Sequence, residues 1–537
     1  MPGMIVAPQP VAVEEGAKVL MAGGNAVDAA VTCALVQSVA SPHMCGIGGY
    51  IITTLHLAGD SGGNGRVLDA PALAGSKVSP AMWEKAILGP NPDGWGFFLK
   101  DKVNDLGYQS VCVPGAVKGF AAMLERWGTL SWKAVLEPAA RIAREGFLVD
   151  KSLADGWRAR PAYPEASCLM DYVRGNAEAS RIYLNEEGLP REVGDRVANP
   201  DYASTLEHLA EAGPEDFYRG ELAETICADL AANGSYVTAG DLADYRLRDP
   251  EPVVGSYRGY RVVSSQSPHG GPTLAAILNI LEGWDLSSLR HNSPAYIERV
   301  AMAMKAAFAD RSLHLADPDF VDVPLDWMTS KERATHWRRT IEEGGAITVE
   351  PMAPEPPDTT QVSVVDSEGN CVSLTHSLGM SSGVITPGLG FMYNNSMINF
   401  HPLAGHPNSI APGKGRTTGM TPTLVYKGDR PVVVIGAPGA TRIITSVLQV
   451  LVNILDFEMS ASDAVLAPRF DCQGDLIRCQ ARIPEFVCAQ VRRNHPIERL
   501  PLSHGGMGLV HAIVIDPETG QLSGGADTGS GGMALLT

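Results

Sequence analysis

The sequence is short of positive charge: 42 lysines and arginines stand against 60 aspartates and glutamates, a formal net charge of −18. Nucleic acids and anionic membrane surfaces require a basic face, so neither is an expected partner. Long apolar runs are missing as well. No stretch reaches the roughly 18 to 20 residues of a membrane-spanning helix. The N-terminal MPGMIVAPQPVAVEEG has no basic region and no extended apolar segment, which makes a cytoplasmic protein the expectation. Nine cysteines are present (Cys33, Cys45, Cys112, Cys168, Cys227, Cys371, Cys472, Cys479 and Cys488). They show no Cys-x-x-Cys and no zinc-ligand spacing, so reduced, mostly buried thiols are expected, and no metal. Glycine is dense in HMCGIGGYIITTLHL, yet neither a GxxxxGK[ST] loop nor a GxGxxG between strand and helix occurs. Close backbone packing therefore reads better than a phosphate cradle, and no cofactor is expected.

What is present is a chain of 537 residues, 45% hydrophobic, with no internal repeat. It can bury a large core, and by length alone two or three domains would be ordinary. Residues 11–40 read as two helices around Gly23-Gly24-Asn25, with Asn25 capping the second. From Trp83 to Pro250 the period is mostly helical, interrupted at Val113–Phe120 and Thr238–Val253. A strand is expected over Tyr257–Ser264, an amphipathic helix over Ala301–Arg311 and a long helix over Thr441–Ile454. Further strands are expected over Gln361–Val365, Cys371–Thr375, Thr423–Tyr426, Pro431–Ile435 and Leu509–Ile515.

The organising stretch is PMAPEPPDTTQVSVVD, Pro351 to Asp366. Pro351, Pro354, Pro356 and Pro357 cannot sustain a hydrogen-bond ladder, so the segment reads as an extended, exposed connector. Thr359 and Thr360 follow at once, then the β-branched run of a strand, a turn over Asp366–Asn370, and a second strand. A threonine thus stands where a cuttable linker meets a buried hairpin. Alone, Asp-Thr-Thr before a strand is an ordinary turn.

Its company is more specific. DTTQVSVVDSEGNCVSLTHSL, GFMYNNSMINF, GRTTGMTPT and GAPGATRIITSVLQVLVNILDF closely resemble the small subunit of the γ-glutamyltranspeptidase family. AGGNAVDAA and GIGG match the N-terminal pattern of the same family, so the resemblance runs nearly end to end. It implies an N-terminal-nucleophile hydrolase: a zymogen that cuts itself between Asp358 and Thr359, leaving residues 1–358 and 359–537 as two subunits of one interleaved globule. The implied fold is an α+β, αββα sandwich with two central antiparallel sheets flanked by helices. An N-terminal threonine is self-sufficient, because the freed α-amine, with an ordinary pKa near 8, serves as base for its own hydroxyl.

The resemblance also implies the site. Backbone N–H groups of Gly439 and Ala440 would hold the oxyanion; alanine replaces the family's second glycine, and the donor survives if φ stays negative. Ser377 stands where the family has a threonine that bonds the nucleophile. His376 is expected to point away as a strand neighbour, and His269, in a Ser/Pro/Gly turn, to be structural. Substrate recognition departs from the family. Val67 replaces the arginine that clamps an α-carboxylate, Asn399 an aspartate and Ser396 a glutamine that hold the α-ammonium. Gly379 replaces an asparagine, Thr418-Gly419 a serine pair, and Gly405–Gly415 is shorter than the form that carries a lid loop. The expectation is an amidohydrolase or acylase that cleaves a small acyl amide through an acyl-Thr359 ester. One alternative is a γ-glutamyl hydrolase or transferase with another clamp, Arg416 or Arg442. A non-catalytic relative is the other, and joint retention of Thr359, Ser377 and GAPG opposes it.

Overall fold

Asn25 divides the N-terminal helical stretch in two. Its side chain accepts from the N–H groups of Val27 and Asp28, while Asp28 Oδ2 takes the Asn25 N–H at 3.0 Å. This reciprocal cap satisfies donors that a helix start leaves open. The computed structural model describes residues 2–60, 65–91, 96–161, 163–352 and 359–537. The helices that flank its sheets are α1 (Pro10–Met21), α2 (Ala26–Ala40), α3 (Ala116–Trp127), α4 (Trp132–Glu145), α5 (Gly271–Leu281), α6 (Pro294–His314) and α7 (Arg442–Leu455).

Two six-stranded sheets form the centre. Their strands, in chain order, are β1 (Met4–Ala7), β2 (Tyr50–His56), β3 (Arg66–Ala70), β4 (Val253–Tyr257), β5 (Tyr260–Ser264) and β6 (Thr360–Val365). There follow β7 (Cys371–Ser377), β8 (Thr423–Lys427), β9 (Arg430–Gly436), β10 (His511–Ile515), β11 (Leu522–Ala526) and β12 (Met533–Leu536). The first sheet has the order β12-β1-β6-β7-β2-β3, the second β11-β10-β9-β8-β5-β4, and every pairing is antiparallel. Strands from both sides of residue 359 lie in each sheet, so one mixed α+β fold replaces the two or three domains that length alone suggested.

Both faces of the first sheet are covered, and its two faces differ in chemistry. Val362, Val364, Val372 and Leu374 pack into the core formed with α1 to α4. The opposite face carries hydroxyls that bond backbone of the second sheet. Ser363 Oγ donates to the His511 carbonyl at 3.0 Å, Ser373 Oγ to that of Ile435 at 2.8 Å, and Thr54 Oγ1 to that of Pro422 at 2.8 Å. On its outer side the second sheet is covered by α5, α6 and α7, whose residues share the other large core with Val262, Val425 and Val433. The layers run helix, sheet, sheet, helix.

Several expectations change. Tyr257–Ser264 is not one strand: Arg258 (φ 53°) and Gly259 (φ 81°) form the tip of a hairpin between β4 and β5. The described residues of 83–110 are short strands and 3-10 turns rather than helix, with Ile87–Pro90 paired to Phe97–Leu99. The Ala301–Arg311 helix extends over Pro294–His314 and buries nearly every side after Tyr296, including Asp310 and Arg311. The strand expected from Leu509 begins at His511. β1, β11 and β12 are short strands that local pattern did not announce.

Candidate active site

Thr359 stands immediately before β6. Because Thr360 pairs with His376 and Ser377 with Tyr50, one row across the sheet brings Thr359, Ser377 and Tyr50 together. Their side chains meet. The Thr359 hydroxyl donates to Ser377 Oγ at 3.1 Å, the Tyr50 hydroxyl donates at 2.9 Å, and the Gly379 N–H donates at 2.8 Å. A serine oxygen has two lone pairs, so three donors compete for it. The longest of these bonds is the one to Thr359. Thr359 is 4% exposed. Tyr50 was not anticipated; its signal was the GIGG that precedes it, since a Cβ on Gly49 would lie 2.2 Å from the Ser377 carbonyl oxygen. That close approach sets the row.

His376 projects to the other face, where Nε2 lies 2.8 Å from Gln37 Oε1 and burial lowers its pKa to about 3. It takes no part in this row.

The strand β9 ends at Gly436, packed on the Gln361 side chain two residues from Thr359. The chain then turns through Pro438, Gly439 and Ala440 into α7. Among the described residues, the N–H groups of Gly439 and Ala440 have no acceptor. The turn is half-buried beside a helix N-terminus, a setting that favours developing negative charge. Ala440 has φ 56°, not the negative value expected. The reversal from strand to helix passes through two positive-φ residues, and alanine tolerates this at about 1 kcal/mol. Gly419 packs beneath: a Cβ there would lie 2.2 Å from the Ala440 carbonyl oxygen.

Thr418 is held by His269, whose Nδ1 is 2.8 Å from Thr418 Oγ1 and whose Nε2 is 3.0 Å from Asp69 Oδ2. The histidine is thus a buried strut under the Thr418-Gly419 step. Asn408 ties this step to the other recognition segment, donating to the Asn399 carbonyl at 2.7 Å and to Thr417 Oγ1 at 3.1 Å. Ser396, Asn399, Thr418 and Gly419 are therefore brought into one region. Ser396 Oγ is buried without a hydrogen-bond partner among the described residues.

Val67 is not brought there. It lies opposite Thr54, four residues along β3 from the level of Tyr50, or about 13 Å at strand rise. It lines a different cleft of about 650 Å³, with Arg66, Arg126 and Asp249. The expected cut falls at Asp358, outside the described residues.

Arg416 lies against this row. Its guanidinium sits 4.0 Å from the Tyr50 ring centroid, the residue is 4% exposed, and Nε is buried without a partner among the described residues. Among the described residues no carboxylate pairs with it. Arg442, the other arginine considered, donates to the Gly506 carbonyl at 3.1 Å and lies 3.9 Å from Asp471.

The model of the family described as gamma-glutamyltranspeptidase matches residues 12–537. The chain belongs to the γ-glutamyltranspeptidase family. Within it, the chain is 38% identical to the acylase ACY 1 proenzyme of Pseudomonas sp. (strain V22), over 98% of this chain and 91% of the relative. It is 33% identical to the glutathione hydrolase proenzyme of Escherichia coli (strain K12), over 98% and 90%. The crystal structure of cephalosporin acylase from Bacillus halodurans superposes with a TM-score of 0.85 at 30% identity, covering 99% of this chain and 95% of that one. A γ-glutamyltranspeptidase-family chain of this kind is a self-processing N-terminal-nucleophile amidohydrolase with the sandwich fold described above.

Proposed function

We propose that the protein cuts itself between Asp358 and Thr359 and then hydrolyses a small amide whose acyl group ends in a carboxylate. The α-amine of Thr359 takes the hydroxyl proton, Thr359 Oγ1 attacks the amide carbon, and the N–H groups of Gly439 and Ala440 receive the oxyanion. Water then releases the acid from the Thr359 ester. The pieces 1–358 and 359–537 stay together as a heterodimer, a reading supported by the sharing of each sheet between them.

The observation that carries the substrate class is Arg416. Among the described residues this buried guanidinium has no anionic partner, which is costly, and a substrate carboxylate would supply one. Asn399 and Ser396 supply neutral hydrogen-bonding groups nearby, which offer no charge to an α-ammonium. An acyl group such as glutaryl suits this set better than the zwitterionic γ-glutamyl group. The alternative, a γ-glutamyl hydrolase or transferase, would use the same Arg416 for the α-carboxylate.

Purified, processed protein assayed on glutaryl and γ-glutamyl derivatives of one aniline separates the readings. We expect kcat/KM for glutaryl to equal or exceed that for γ-glutamyl. A preference for γ-glutamyl of about a hundredfold, a gap of nearly 3 kcal/mol, would establish the alternative.

A further inference from the structure

A cleft of about 480 Å³ adjoins the catalytic row on the side of the Gly439 turn. Its walls are one residue removed from the reacting centre at two points. Gly439 is itself part of the lining, and Met380 follows Gly379, whose N–H bonds Ser377 Oγ. The size falls within the usual range for a small-molecule site.

The lining is apolar with one sign of charge. Met44, Leu169, Met380, Met507 and Leu509 are part of the wall. Among the described residues that line it, Arg160 and Arg442 are the only charged groups, and no carboxylate is present. His43 also lines it, 8% exposed, with Nδ1 lacking a partner among the described residues. Burial keeps this imidazole neutral, its pKa lowered to about 4. The wall therefore offers soft apolar surface near the oxyanion turn, two cations and an open imidazole nitrogen.

We propose that this cleft receives the amine half of the scissile amide, and that it selects an apolar amine carrying a carboxylate. The proposal rests on the reaction given above. When Thr359 Oγ1 forms the ester bond the C–N bond breaks, and the hydroxyl proton, held on the α-amine, passes to the departing nitrogen. The product amine then lies among the methionines with its carboxylate toward Arg442 and Arg160. Methionine side chains adapt to flat or irregular groups, so ring shape is weakly specified and charge is what the cleft reads.

The test uses two anilides with the same glutaryl group, one with an unsubstituted ring amine and one with a carboxylate on the ring. Both give the same Thr359 ester, so deacylation is common to them and the ratio of kcat/KM reports the amine subsite. The carboxylated anilide should be favoured by about tenfold or more, as for one charge-assisted hydrogen bond. In the double variant Arg160→Gln, Arg442→Gln the ratio should fall to within about twofold of one. Self-cleavage into two bands shows that the variant has folded. A wild type with no preference for the carboxylated anilide, or a processed double variant that keeps the preference, overturns the assignment. If neither anilide is cleaved by self-processed wild type, the proposed reaction fails rather than the subsite.

Discussion

Gly419 lies directly against the carbonyl of Ala440, so close that a methyl group added at 419 would come within 2.2 Å of that oxygen. The proposed oxyanion turn therefore rests on a residue with no side chain. Gly419→Ala should displace the Ala440 N–H and cost about 10² to 10³ in kcat, the usual loss of one oxyanion donor. Steady-state kinetics on processed protein decides it, and an unchanged kcat would mean that the oxyanion is held elsewhere. Ala440→Pro is a poor probe here, since proline cannot adopt φ 56°.

Self-cleavage should give two bands on a denaturing gel for the wild type and one for Thr359→Ala. Thr359→Ser keeps the hydroxyl and should retain partial processing. A fully active amidase that runs as one intact chain would refute an N-terminal nucleophile.

Among the described residues, Ser377 accepts from the Thr359 hydroxyl, the Tyr50 hydroxyl and the Gly379 N–H. Ser377→Ala leaves the buried Tyr50 hydroxyl and Gly379 N–H without this acceptor, a cost of about 1 to 3 kcal/mol, and removes the anchor of the nucleophile. Processing should slow at least tenfold, whereas Ser377→Thr should process nearly as wild type. Time courses of cleavage after refolding would show it; equal rates for Ala and Thr would remove Ser377 from the mechanism.

Arg416→Gln should lower kcat/KM for glutaryl anilide by about one to two decades, while the ratio of glutaryl to uncharged butyryl substrate collapses toward one. Asn399→Asp should shift preference toward γ-glutamyl by adding an anion for the α-ammonium. If Arg416→Gln leaves the glutaryl-to-butyryl ratio intact, the acyl carboxylate is bound by another group.

Burial holds His43, His406 and His511 near pKa 4 and His376 near 3, with the stacked His401 adding to the effect at His406. In the unfolded chain these side chains titrate near 6.5. Between these values the unfolded state binds protons that the folded state refuses, so stability falls as pH drops from about 6.5 to about 4. The urea midpoint should be lower at about pH 4.5 than at about pH 7. His376→Gln should lose less over that interval, and a midpoint insensitive to pH would contradict the assignment.

Much of the fold was legible because its signals are local. The Asn25 cap, the turn over Asp366–Asn370 and the β-branched run after Thr359 each declare themselves within a few residues. Thr359, Ser377, Gly439 and Ala440 were singled out as candidates from motif. Their arrangement was not, because it depends on register: one row across three strands unites Tyr50, Ser377 and Thr359 and leaves Val67 four residues away. Arg416 shows the same limit. A sequence gives its charge, while only packing shows that it is buried on Tyr50 without a counter-ion among the described residues.

The sheet that carries Thr359 is closed by both extremes of the sequence. β1 pairs with β6 on one side and with β12 on the other, and the Thr537 N–H donates to the Gly3 carbonyl. Pairings between residues as distant in sequence as Met4 and Leu536 carry a large loop-closure cost, so the joining of β1 and β12 is expected to be a late event when the chain folds.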